Sequence, residues 1–219
     1  MTGLSIVRKA DLTWIDRVNI DGWPSRIAAY YENAEHRIRF RLVDFPEHAI
    51  EPRHVHAGRH GTTVLKGKVL VDGLALEPLD VILGPSNEPH GPLEYPGGCQ
   101  LLSAFQGEDY HSEVETLSAE KNYRLVQQAE IPWRPLSSGD GEVKSLIDHG
   151  LENMLIEAYR FKPGAEHVPG FVAALVFEGS PTIGSETLEA WDLIHPDGDG
   201  DPGTVSFPEG GTLLAVSMR

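Results

Sequence analysis

Short apolar runs, broken every few positions by glycine or proline, pattern this chain from end to end. Ile38-Arg39-Phe40-Arg41-Leu42-Val43 alternates apolar and polar, as a strand with one buried face does. Thr63-Val64-Leu65, Lys68-Val69-Leu70-Val71 and Leu101-Leu102-Ser103-Ala104-Phe105 have the length and composition of buried strands. Short strands at close spacing with turn residues between them predict an all-β sandwich or barrel. Helical periodicity is scarce. Its best stretch is Glu113 to Gln128, where Val114, Leu117 and Leu125 stand among polar residues.

The pattern also repeats. Leu65-Lys66-Gly67 is followed thirteen residues later by Asp80, and Phe177-Glu178-Gly179 thirteen residues later by Asp192. Leu79-Asp80-Val81-Ile82 matches Trp191-Asp192-Leu193-Ile194, and Tyr95-Pro96-Gly97-Gly98 matches Phe207-Pro208-Glu209-Gly210. Upstream, Asp11-Leu12-Thr13-Trp14 matches Glu130-Ile131-Pro132-Trp133. Landmarks in the same order imply a duplication of roughly residues 10–110 and 129–219. The expected organisation is an N-terminal domain over 1–112, a linker with helical character over 113–128, and a C-terminal domain over 129–219.

Composition narrows the partners. The 219 residues carry 33 acidic against 18 basic side chains, a formal charge of -15, and no Lys/Arg-rich run offsets it. Such a chain repels phosphate backbones and anionic lipid, so nucleic acid and membrane are not expected partners. No apolar stretch approaches a membrane span. A single cysteine, Cys99, excludes an internal disulfide and fits a cytoplasmic protein.

The chemical signal is Pro52-Arg53-His54-Val55-His56-Ala57-Gly58-Arg59-His60, then Gly67, then Pro85-Ser86-Asn87-Glu88-Pro89-His90. His54 and His56 share a face of a strand. A turn near Gly58 brings His60 toward them, and His90 can close the set from a further strand. Imidazoles in such a cluster suit Zn, Cu, Fe or Ni.

These residues resemble the two metal-binding motifs of the cupins, small antiparallel jelly-roll barrels with a metal at the mouth. The first motif reads His-x-His, three or four residues, Glu, six residues, Gly. His54, His56 and Gly67 fit it, and His60 stands where the glutamate belongs. The second reads Pro-x-Gly-x-x-His; Pro85 and His90 fit, with Asn87 in place of glycine. The surrounding His-Gly-Pro and Gly-Gly-Cys are most similar to ChrR-type cupins and small cupin dioxygenases. The resemblance implies two tandem cupin barrels, a bicupin, with one divalent transition metal on His54, His56, His60 and His90. Counting back from Gly179 puts Glu166, Val168 and Val172 at the first three positions, and counting forward brings Asp201 beside the fourth, so the second half is expected to lack a metal.

A site of neutral imidazoles leaves a 2+ ion uncompensated and favours a small anionic ligand such as an enolate or carboxylate. The resemblance implies a non-haem iron dioxygenase acting on a small carbonyl or enolate compound. Its alternatives are a Zn, Ni or Mn lyase, isomerase or hydrolase, and a non-catalytic sensor. Trp23, Leu65, Val69, Leu102 and Phe105 are the candidate apolar walls. Arg53 and Arg59 flank the histidines but alternate away from them. Glu88 and His111 are expected to face solvent, and exposed strand edges favour a homodimer.

Overall fold

In this computed structural model, the described residues are 3–18, 24–108, 111–148, 153–168, 170–197 and 203–218. They form strands and two short 3₁₀ turns, and none forms a helix long and apolar enough to cross a membrane. The chain divides into two compact units: Thr13–Gln128, and Met1–Leu12 together with Ala129–Arg219.

The first unit is built on a seven-stranded antiparallel sheet. Its order is Arg124–Val126, Val81–Gly84, Arg59–Gly67, Cys99–Gln106, Ile38–Phe45, Pro24–Asn33, Trp14–Val18. A four-stranded sheet (Ala49–Glu51, Leu93–Tyr95, Val69–Val71, Leu74–Leu76) and the pair His54–His56 with His111–Glu113 complete it. One apolar cluster joins the two larger sheets, with Val64, Ile82 and Leu101 from one and Ala49, Val69, Leu76 and Tyr95 from the other. The alternation read along residues 38–43 is real: Ile38, Phe40 and Leu42 are buried, while Arg39, Arg41 and Val43 are half-buried on the other face.

The second unit repeats the plan. Its seven-stranded sheet runs Leu4–Val7, Leu193–Pro196, Ala173–Gly179, Gly211–Met218, Met154–Phe161, Gly141–Ile147, Arg134–Pro135, and a four-stranded sheet accompanies it. The repeat extends to backbone detail. Gly67 and Gly179 have φ of 87° and 93°, and a Cβ on either would press on the carbonyl of Gly98 or Gly210. Leu79 and Trp191 both hold positive φ, 72° and 73°. The aspartates that follow are both buried acceptors. Asp80 takes the N–H groups of Glu77 (2.8 Å) and Gln128 (2.7 Å), and Asp192 those of Glu189 and Lys9 (both 2.9 Å). The sheets remain open, so each unit is a two-sheet jelly roll rather than a closed barrel.

Two boundaries differ from the sequence expectation. The strand Leu4–Val7 belongs to the second unit, paired with Leu193–Pro196. Residues 113–128 contain no α-helix: Arg124–Val126 is an edge strand on Val81–Gly84, followed by a 3₁₀ turn at Gln128–Glu130. Leu125 and Val126 are the apolar contribution of that strand, which a helical spacing imitates over a few residues.

Candidate metal centre

His54 and His56 lie two apart on their strand and point the same way, ring centroids 4.8 Å apart. His90 is docked by backbone: His54 N–H donates to His90 O (3.0 Å) and His90 N–H to His54 O (2.9 Å), with the rings 4.3 Å apart. The ligand nitrogens of His54, His56 and His90 all lie within 4.8 Å of one another. His60 enters from Arg59–Gly67, its ring 4.6 Å from His56 and 4.8 Å from His90. Gly84, directly opposite His60 in the sheet, makes room for it: a Cβ there would overlap the imidazole. Asn87, out of place in the sequence motif, has φ of 60° and so adopts the left-handed turn that glycine would supply.

The rings are set up as neutral donors. Burial pushes His54 down to about 4, with the Pro52 carbonyl acting in the opposite sense. Burial, with the nearby His54, pushes His90 down to about 4. Burial and the neighbouring histidines lower His56 and His60 too. A neutral ring whose Nδ1 faces a carbonyl must carry its proton there. His54 Nδ1 lies 2.8 Å from Pro52 O and His90 Nδ1 3.2 Å from Glu88 O, which leaves both Nε2 lone pairs for the cluster interior. His60 Nδ1 is buried with no hydrogen-bond partner among the described residues. Converging lone pairs and an orphaned ring nitrogen fit a borderline transition-metal ion.

Two groups were missed in the sequence. His111, expected at the surface, pairs across strands with His56, stacks on it at 5.0 Å and lies 4.8 Å from His54. Its position beyond the last barrel strand hid it. Glu51 turns inward from Ala49–Glu51: its Oε2 accepts from the Tyr95 hydroxyl (2.9 Å), and its Oε1 is 4.0 Å from His54 Nε2. Burial raises its pKa, partly offset by the Tyr95 hydrogen bond. The signal was an inverted alternation, since Ile50 is exposed while Glu51 faces in.

A cavity of about 430 Å³ opens onto the cluster. Its apolar wall includes Ile27, Val43, Ile82, Leu93, Leu101 and Phe105. Of the walls expected from sequence, Phe105 is there, Leu65, Val69 and Leu102 are buried core, and Trp23 lies outside the described residues. Arg53 and Arg59 hydrogen-bond Glu115 O and Gln106 instead; the arginines on the cavity are Arg17 and Arg41. Glu88, expected in solvent, is buried and accepts from Asn122 N–H (2.9 Å) and the Ser118 hydroxyl (3.3 Å).

In the second unit, strand register aligns Ala165–His167 with Ala49–Glu51, because Ala165 pairs with Phe207 as Ala49 pairs with Tyr95. His167 therefore stands in the place of Glu51. The gapless count that matched Glu166 to His54 fails because, among the described residues, this half has no counterpart of the strand His54–His56. Asp201 lies outside the described residues.

The fold is that of the cupins, present twice, with a histidine cluster able to hold a metal ion in the first copy. No protein-family model and no curated protein sequence matches the chain. Solved structures do. A candidate dioxygenase from Nostoc punctiforme is similar over 99% of this chain and 82% of its own, at TM-score 0.81 and 10% identity. An oxalate decarboxylase from Lactobacillus farciminis matches 100% of this chain and 86% of its own, at 0.66 and 12%. A salicylate 1,2-dioxygenase from Pseudoaminobacter salicylatoxidans matches 83% and 70%, at 0.63 and 13%. At such identities the likeness shows fold, and chemistry must be argued from the site.

Proposed function

We propose that this protein is a metal-dependent oxygenase. It holds one divalent transition-metal ion, iron in the first instance, on His54, His56 and His90 with His60 completing the set, and acts on a small anionic carbonyl or enolate compound. The observation that carries this reading is the convergence of neutral imidazoles on a cavity with apolar walls and two arginines. When bound, the ion supplies Lewis acidity toward a carbonyl or enolate oxygen and, if it is iron, the redox capacity that dioxygen chemistry needs. The chain supplies the rest. Leu93, Leu101 and Phe105 exclude water from the reacting end, which strengthens every charge interaction inside. Arg17, with Arg41 (which also pairs with Glu32 at 3.1 Å), gives an anionic substrate its counter-charge at the cavity.

A second reading, Lewis-acid chemistry on Zn, Ni or Mn without dioxygen, draws support from the imidazole set itself, which suits such ions as well as iron. One experiment separates the two. Protein purified without chelator or affinity nickel is assayed for metal by elemental mass spectrometry, and for oxygen uptake with small β-diketones and 2-hydroxy or 2-oxo acids. About one iron per chain with uptake is the expected result. One zinc, nickel or manganese without uptake selects the second reading, and wild-type metal content in both His54→Ala and His90→Ala refutes both.

A further inference from the structure

A divalent ion among neutral imidazoles carries a charge they do not offset. Among the described residues that line the cavity, Glu51 is the one carboxylate. Its two oxygens have different surroundings. Oε2 is fixed by the Tyr95 hydroxyl at 2.9 Å, and Oε1 is turned toward His54 Nε2 at 4.0 Å. Tyr95 is itself fully buried and stacked on Phe45 at 4.0 Å, so the hydroxyl has little freedom to move. A carboxylate with one oxygen tethered and the other aimed at a ligand nitrogen has the form of an oriented, monodentate metal ligand.

The ligand atoms of Glu51, His54 and His111 also lie within 4.8 Å of one another, as those of His54, His56 and His90 do. The two groups share His54. Its Nδ1 is committed to Pro52 O, so it has one lone pair to give, at Nε2. That single lone pair serves one ion at a time, and Glu51 stands beside it together with His111.

Resting on the reading that His54, His56 and His90 hold a metal, we propose that Glu51 Oε1 is the anionic ligand of that ion, with Tyr95 as its positioning residue. The charge at the centre then falls from 2+ to 1+. The oxygen donor shifts preference toward harder ions such as Mn(II) and Fe(II) and away from a purely nitrogen-bound Cu(II). The carboxylate missing beside His56 along the chain is supplied from the neighbouring strand.

The test uses metal-free full-length protein and Co(II) as the probe, titrated against a chromophoric chelator, with visible spectra recorded throughout. Wild type should take one Co(II) per chain. Glu51→Gln should weaken binding by at least roughly tenfold and change the Co(II) absorption bands, whereas Tyr95→Phe should weaken it less and keep the band pattern. Infrared difference spectra, loaded minus metal-free, on protein with carboxyl-labelled glutamate should show a glutamate carboxylate band that moves on binding. Wild-type affinity and spectrum in Glu51→Gln, while His90→Ala loses the metal, would overturn the role of Glu51 and leave the histidine site standing. A wild-type protein that takes no Co(II), or a His90→Ala variant that binds like wild type, would remove the histidine reading and this ligand with it. If Glu51→Gln does not fold, the wild-type infrared spectrum decides alone, and an unmoved glutamate band overturns the proposal.

Discussion

Acidifying the metal-free protein tests whether the histidines are held neutral by burial. In the unfolded chain a histidine takes up its proton near 6.5, whereas His54 and His90 in the folded protein do so only at about 4. Between those values the unfolded state binds protons that the native state refuses. Stability therefore rises with pH across that window and falls on acidification, at about 1.4 kcal/mol per pH unit for each group. From pH 6.5 to pH 4.5 each ring removes about 2 kcal/mol, so the pair removes about 4 kcal/mol, a large part of the whole stability of a typical domain. His56 and His60 are lowered as well and act in the same direction. Glu51, whose pKa is raised by burial, works against them by protonating more readily in the folded state. The assay is urea unfolding of the metal-free protein at pH 7.5, 6.5, 5.5 and 4.5, with His90→Asn run in parallel. The midpoint should hold between pH 7.5 and 6.5 and then fall steeply, with a shallower fall in the variant. A change under about 1 kcal/mol between pH 6.5 and 4.5, or an identical slope in His90→Asn, would refute the burial argument.

Two further outcomes follow from the shared framework of the repeats. Asp80→Ala strips the acceptor from the buried N–H groups of Glu77 and Gln128, and at about 1–3 kcal/mol per unsatisfied group should destabilise by about 2–5 kcal/mol in urea unfolding; a surface-sized effect would contradict it. Gly67→Ala forces a side chain into a left-handed turn at φ 87° and against the Gly98 carbonyl, and calorimetry should show the melting temperature lowered by about 4–8 °C, with a wild-type value counting against the assigned turn.

What was legible in the sequence was whatever repeats or alternates. The strands around residues 38–43 and 101–105, the glycine turns and the paired aspartates all carry periodic or duplicated signals, and the structure places them as equivalents. The close approach of His54, His56, His60 and His90 was legible because their spacing along the chain already places them on neighbouring strands. His111 was not, because it reaches the cluster through its pairing with His56, distant in sequence; Glu51 lies only three residues before His54, and what the sequence hid was that its side chain turns inward. Pairing between distant segments leaves no local pattern. Glu88 failed for a related reason. It sits outside the strands, where side chains need not alternate, and its partners Ser118 and Asn122 lie 30 and 34 residues onward.

The same alignment of registers accounts for the difference between the two halves of the duplication. Val43 and Glu51 line the cavity of the first unit, and Tyr95 stands behind Glu51. Tyr159, His167 and Phe207 occupy the matching positions in the second, since Tyr159 pairs with Leu213 as Val43 pairs with Leu101. Each replacement adds bulk to the interior or removes a tether. Tyr159 and His167 meet at 5.2 Å, Phe161 and His167 at 5.1 Å, and Phe161 stacks on Phe207 at 4.0 Å. Phe207 has no hydroxyl with which to orient a carboxylate, and His167 rather than a carboxylate stands at the position of Glu51. Among the described residues, the strand that carries His54 and His56 has no equivalent there either. Loss of the ligand strand leaves space that aromatic side chains then fill, at the packing density interiors require. One copy keeps an open, polar-ended cavity, and in the other Phe207 is buried core at the matching place while Tyr159 and His167 are half-buried beside Phe161. Restoring a metal site to the second unit would thus take both a new ligand strand and smaller residues at Tyr159 and His167.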